Sequence, residues 1–196
     1  MLHSKVSYLG GVCIENRLFW DNGKLREQEQ TVDDLSIQRA FNQDGLKILE
    51  IQWRKADRGR VKEVEQKFHE SGALTHEQRW NKGILTSDAT FYLNGQKKSL
   101  LIYSLRNGTN VCDVNAYSDK GHLIRQGVYL VKNDSPDRPI DVHRFFDNDG
   151  LLQKEQMFDE RNRLSRERQF DQQGNLKSDE AVFEDGSRKI YAIIPK

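Results

Sequence analysis

Cysteine, proline and long apolar runs are all scarce in this chain, and neither sign of charge is in excess. The two cysteines, Cys13 and Cys112, lie far apart and match no metal-ligand or redox spacing. No stretch approaches the roughly 20 apolar residues that span a bilayer as a helix. Met1 is followed by Leu2, His3, Ser4 and Lys5, which lead into no apolar core of a secretory signal, so the expected location is the reducing cytoplasm. The 31 basic and 30 acidic side chains leave a formal net charge of +1. That balance argues against the basic face of a nucleic-acid binder, and equally against an acidic mimic of nucleic acid.

Charged residues make up 31% of the chain and hydrophobic ones 36%, below the apolar share of about 45–50% of an ordinary domain. The mean hydropathy is −0.83. Such a composition means either disorder or a fold with a thin core. The nine Phe, six Tyr and three Trp are spread over the whole length, and disordered segments are poor in such residues, so a thin core is expected.

An internal repeat organises the chain. Its best copies are Phe19–Leu25, Phe68–Leu74, Tyr117–Leu123, Phe146–Leu152 and Phe170–Leu176. Each has an aromatic residue four positions before a Gly and a Leu two positions after it. Phe158–Leu164 carries Asn162 in the Gly slot, and Phe91–Gly95 and Phe41–Gly45 are looser copies. Asn-Gly and Asp-Gly between strand-forming residues signal hairpins whose tight turns need positive φ. Gly reaches that conformation freely, and Asn is the next most tolerant. From Gly72 the steps to Gly83, Gly95, Gly108 and Gly121 are 11, 12, 13 and 13 residues; from Gly150 to Asn162, Gly174 and Gly186 each step is 12. A step of that size holds about eight strand residues and about four turn residues, which predicts an all-β fold.

Between Asn162 and Gly174, strand alternation places Leu164, Arg166, Arg168 and Phe170 on one side and Ser165, Glu167 and Gln169 on the other. Long charged stems between apolar ends suit a thin-cored sheet with stacked aromatics. One Phe burying ~150–250 Å² contributes at most about 4–6 kcal/mol at ~25 cal/mol/Å². The expected fold is therefore an elongated, twisted antiparallel meander of repeated hairpins, single-layered or open barrel-like. Val61, Val64 and Phe68 fall at helical spacing, and Leu25 to Arg39 is rich in helix formers, so local helices in the first 70 residues compete with this reading. Pro136 and Pro139 fall within 132–141, read as a loop between an N-terminal block of repeats, 1–131, and a C-terminal block, 142–196, of one continuous sheet. The apolar run from Arg188 to Lys196 reads as a closing strand ended by Pro195.

The unit resembles that of bacterial MORN-like repeat proteins of the YwqK antitoxin type, which run roughly Tyr-Tyr-x-Asn-Gly-x-Leu with an acidic residue soon after. Phe19-Trp-Asp-Asn-Gly-Lys-Leu-Arg-Glu27 matches it best, and Phe91–Gly95 and Phe145–Glu155 keep the doubled aromatic. The pattern recurs from about residue 18 to about residue 188. The Gly-x-x-x-Gly spacing of fuller MORN units is missing, and many copies carry a single aromatic. The unit is also similar to the YD repeats of large Rhs-type toxins, which run to many more copies. What the YwqK resemblance implies is a cytoplasmic immunity protein that binds and neutralises a cognate protein toxin.

Residue by residue, no catalytic constellation stands out. His3, His69, His76, His122 and His143 sit at no ligand spacing, and His69-Glu70 and His76-Glu77 point to opposite faces of a strand. Cys112 needs a histidine brought near by the fold to act as a nucleophile. Gly10-Gly11 lacks the Lys and the helix of a phosphate loop. Of the tryptophans Trp20, Trp53 and Trp80, Trp20 and Trp80 occupy aromatic slots of the repeat and are expected to pack in the core rather than to mark contacts. The expectation is a non-enzymatic protein with no catalytic, metal or cofactor residues, whose partner is a toxin rather than nucleic acid, membrane or a small-molecule substrate. A non-catalytic repeat scaffold or envelope-linked interaction module is the alternative.

Overall fold

The computed structural model describes residues 3–193, which form sixteen strands; among the described residues there is no helix. The chain divides into two compact units, Met1–Gly95 and Gln96–Lys196. Unit 1 contains β1 (Ser4–Leu9), β2 (Val12–Phe19), β3 (Leu25–Val32), β4 (Leu35–Phe41), β5 (Lys47–Lys55), β6 (Arg60–Phe68), β7 (Leu74–Asn81) and β8 (Ile84–Phe91). Unit 2 contains β9 (Lys97–Arg106), β10 (Thr109–Tyr117), β11 (Leu123–Lys132), β12 (Ser135–Phe146), β13 (Leu152–Phe158), β14 (Leu164–Phe170), β15 (Leu176–Val182) and β16 (Arg188–Ile193). Within each unit the strands pair antiparallel with their neighbours in sequence, so each is a meander of hairpins, as the turn spacing predicts.

The aromatic-x-x-x-Gly-x-Leu unit is a turn followed by a register shift. At Trp20 the amide donates to the Lys24 carbonyl (2.8 Å), and the Gly23 amide donates to the Trp20 carbonyl (2.9 Å). Gly23 sits at φ 81°, and Asn162 takes the same slot at φ 62°. The turn brings the aromatic and the leucine of each copy directly opposite one another: Phe19 and Leu25, Phe68 and Leu74, Tyr117 and Leu123, Phe146 and Leu152, Phe158 and Leu164, Phe170 and Leu176. Each such cross-strand pair contributes about 0.2–1 kcal/mol relative to alanines.

The residue after the aromatic completes the turn. Asn42 Oδ1 accepts the amides of Asp44 (3.0 Å) and Leu46 (2.9 Å), and Asp147 and Asp171 accept the corresponding amides in their turns. The other ends of the unit 1 hairpins use shorter connections, such as Lys82-Gly83, where Lys82 also takes positive φ (49°). From β13 to β15 the longer turn occurs at both ends of each strand, which is why the spacing settles at 12.

Burial is shallow. Among the described residues the buried apolar side chains are Ala89, Val111 and Cys112. Many rings meet cross-strand leucines and cationic side chains. Lys47 Nζ lies 4.2 Å from the Phe68 ring centre and Lys154 Nζ 4.6 Å from that of Phe145. Such stems cover apolar surface while their heads stay wet.

One alternative is set aside and one expectation needs correcting. The helical reading of the first 70 residues fails, because Val61, Val64 and Phe68 lie along β6 and Leu25 to Arg39 spans β3 and β4. Segment 132–141 is not a loop but the end of β11, a two-residue turn at Asn133-Asp134 and the start of β12. Pro136 and Pro139 are tolerated there because β13 pairs only with Val142–Phe146, leaving the first half of β12 with one neighbour, and because the β11–β12 register shifts nearby. Pro195, expected to end the last strand, lies outside the described residues.

Candidate functional site

The sheet faces carry the patterned chemistry, beginning with unit 1. The register aligns Arg17, Gln28, Arg39, Glu50, Gln66, Glu77 and Ala89 in one row across β2 to β8, all on the same face. Arg17 and Gln28 both donate to Glu15 (2.8 and 2.6 Å), and Arg39 and Lys47 to Glu50 (3.0 Å each). Gln66 and Arg79 hold Glu77 (2.7 Å each). Burial opposes the ionisation of Glu50, yet the hydrogen bonds from Lys47 and Arg39 hold its carboxyl below the usual range.

The opposite face of unit 1 is more aromatic. Ala40 forms the floor of a shallow trough beside Leu18, Leu49 and Ile51, with Glu27 and Glu29 also lining it. Beyond it Trp53 Nε1 donates to Gln38 Oε1 (2.8 Å), while the Arg60 guanidinium sits 4.6 Å from the Trp53 ring centre. Lys62 bridges two tryptophans, 5.6 Å from Trp53 and 4.7 Å from Trp80, and its ammonium is anchored by Glu65 (2.6 Å). Trp53 and Trp80 are half-buried, so the core position expected for Trp80 becomes a partly open cation–aromatic stack. Trp20 is also half-buried and straps two turns, donating from Nε1 to the Phe41 carbonyl (3.2 Å).

Unit 2 carries an alternating row of charges. Arg144, Glu155, Arg168 and Asp179 are successive cross-strand partners over β12 to β15. Arg144 Nε donates to Glu155 (2.9 Å), and Arg168 approaches both Glu155 (3.7 Å) and Asp179 (3.5 Å). Arg166 grips Asp179 through Nε and Nη2 (2.7 and 2.5 Å). The Arg166 hydrogen bonds hold the Asp179 carboxyl below its ordinary range.

His143 is the one histidine that is buried, at 2% exposure. Gln126 faces Arg144 and Val128 faces Ile140, so Gly127 alone stands opposite the excursion Asp141-Val142-His143. Asp141 enters the left-handed region there, at φ 59°. The His143 ring lies directly over Gly127, where a Cβ would come within 2.7 Å of three ring atoms. Tyr129 and Phe158 flank the ring at 4.7 and 4.9 Å between centres, and Nε2–H donates to the Val128 carbonyl (2.8 Å). Burial pushes the His143 pKa below its ordinary 6.5. Cys112 is the cross-strand partner of Tyr129, so Tyr129 is the side chain through which the fold relates Cys112 to a histidine.

The other histidines are turn and ladder residues. His69 accepts the Ser71 amide (3.1 Å), and His122 Nδ1 donates to the Asn148 carbonyl of the neighbouring turn (2.7 Å). His3 approaches Asp21 at 3.9 Å. His76 meets Asp88 (2.7 Å), whose second oxygen accepts from Gln78 (2.7 Å). The sequence concealed that contact because the partners are on different strands, and the Gly127–His143 inset because nothing local marks it. Cys13 is exposed. Among the described residues no group of three or more His, Cys, Asp or Glu is arranged to hold a metal ion, and no helix is long and apolar enough to cross a membrane.

No family model matches the chain, and no curated protein does. Among solved structures it is similar to a mutant of S. aureus TarM in complex with Fondaparinux, alpha-GlcNAc-glycerol and UDP, at 10% identity and TM-score 0.38, over 51% of this chain and 20% of that one. A second structure of TarM shares 12% identity at TM-score 0.37, over 51% of this chain and 19% of that one. This chain thus spans about a fifth of the length of those two proteins. A porin-like protein from Bacteroides uniformis shares 11% identity at TM-score 0.27, over 90% of this chain and 85% of that one.

Proposed function

We propose that this chain is an immunity protein that binds a cognate protein toxin and neutralises it by steric occlusion, acting as a binding partner rather than as an enzyme. The observation that carries the reading is the open Arg60–Trp53–Lys62–Trp80 stack on one face of unit 1. Trp and Arg are over-represented among the residues that dominate interface energies; here Trp53 is already fixed by its hydrogen bond to Gln38, Arg60 by an ion pair to Glu29 and Lys62 by one to Glu65. A preordered surface loses less side-chain entropy on binding. Stable interfaces need about 1,200–2,000 Å² in total, an area that a broad sheet face supplies. The resemblance of the repeat to YwqK-type antitoxins points the same way.

The test is co-purification with the product of the adjacent gene, together with rescue of cells that express that product. Protection by the native chain, weakened by Trp53→Ala, is the expected result. Neither complex nor protection would remove the proposal, and a gene beside surface-assembly genes would favour the envelope-linked scaffold instead.

A further inference from the structure

The outer edge of β1 carries an inference independent of the toxin reading. Among the described residues β1 bonds only to β2. The Phe19 amide donates to the His3 carbonyl at 3.0 Å, and antiparallel pairing alternates from that bond. His3, Lys5 and Ser7 therefore turn their backbone groups toward β2, while Ser4, Val6 and Tyr8 turn theirs outward. The register passes from Ser7 opposite Glu15 to Tyr8 opposite Cys13, so the extra residue, Ile14, belongs to β2 and β1 runs straight. Sheet edges are commonly protected by proline, by a bulge or by several charges. β1 has no proline, no bulge of its own and a single charge, Lys5. Val6, Tyr8 and Leu9 are 43%, 65% and 71% exposed.

We propose that β1 is a self-association edge, through which two copies of the chain join antiparallel about a two-fold axis at Val6. The register follows from the side chains. Because only Ser4, Val6 and Tyr8 bond outward, one copy slides along the other in two-residue steps. With Val6 opposite Val6 of the second copy, Ser4 faces Tyr8 and Lys5 faces Ser7, so the two valines meet at the axis and no like charges do. One step in one direction sets Lys5 against Lys5, a repulsive pair. One step in the other runs Ser4 into Gly10, which belongs to the turn after β1. The favoured register is symmetric, so the same edge is used on both copies and assembly stops at the dimer.

Sedimentation velocity of the full chain over a wide concentration range tests this. The native chain is expected to pass from monomer to dimer and no further. Val6→Pro removes an outward N–H without touching the bonds to β2, and Val6→Lys places like charges at the axis. Each is expected to weaken dimerisation by about tenfold or more while circular dichroism keeps its strand signature. If the proline variant unfolds, the lysine variant alone decides. In a Cys13→Ser background, Val6→Cys is expected to form a disulfide between copies, because facing strand residues lie within bridging distance. Tyr8→Cys, which faces Ser4, is not expected to do so. A chain that stays monomeric throughout, association unchanged by Val6→Lys, cross-linking at Tyr8→Cys but not at Val6→Cys, or open-ended assembly would each overturn the proposal.

Discussion

In unit 1 the middle of the sheet is held by ion pairs and charge-assisted hydrogen bonds, with Glu15, Glu50 and Glu77 each gripped by Arg, Lys or Gln from neighbouring positions. In unit 2 a charge row of the same kind runs from Arg144 to Asp179, but beside it lies a neutral ring packed over a glycine. The difference concerns how a sheet with little core keeps its strands in register. Ion pairs across strands tolerate exposure and substitution, whereas the inset of His143 over Gly127 is a steric fit that admits almost no change. Turn chemistry is common to both units, and the inset is peculiar to the second.

The sharpest way to break the comparison is Gly127→Val. The added side chain meets the His143 ring, and unit 2 is expected to lose about 1–3 kcal/mol, as overpacked sites do. Urea titration followed by residue-resolved signals from the two units would show whether the loss is confined to unit 2. Turn glycines form the next class. Gly72→Ala has open space around its new Cβ but sits at φ 84°, so unit 1 is expected to lose roughly 1–2 kcal/mol. Asn162→Gly, in the same slot at φ 62°, is expected to be neutral or slightly stabilising in the same titration. Asn42→Ala removes the acceptor for two turn amides and is expected to cost about 0.5–1.5 kcal/mol. The smallest effect is expected from Arg161→Ala, whose partner Glu184 is as exposed as Arg161 itself (68% and 73%). No measurable change in the urea midpoint should follow, in line with the small worth of exposed pairs.

The sequence made the all-β class and the repeat's turn positions legible because each of those turns announces itself locally, through a glycine or Asn162 that takes positive φ between an aromatic and a leucine; the turns at Asp33-Asp34 and Asn133-Asp134 carry no glycine and lack that signal. It also showed that Arg166 and Arg168 share a face, and both reach Asp179. Other features escaped it for physical reasons. The caps of Asn42, Asp147 and Asp171 leave only an Asx after the aromatic as their trace in the sequence, and an Asx is common in strand and turn alike. The strand character of Ser135–Ile140 was hidden by two prolines that are harmless on a half-paired strand. The pairing of His76 with Asp88 and the seat of His143 on Gly127 depend on register, which is fixed only when the turns and bulges of successive hairpins are counted together. The Trp53–Lys62–Trp80 stack was missed for the same reason.

Hydrogen exchange resolved by residue and corrected for intrinsic rates, followed as the pH is lowered, tests most directly whether the two units are held differently. His143 has a depressed pKa in the fold, so above about 6.5 it carries no penalty. Below that value the unfolded chain takes up a proton that the folded site refuses, and the cost grows by up to about 1.4 kcal/mol per pH unit until the depressed value is reached. The paired carboxylates, Glu50 among them, are also depressed, but from 4.5, so their contribution is intact above that value and lost only as the pH falls through their lower folded values. Protection in β11, β12 and β13 should therefore weaken between about pH 6.5 and 4.5 while that in β3 to β6 holds. Equal loss in both units over that window, or earlier loss in unit 1, would contradict the account.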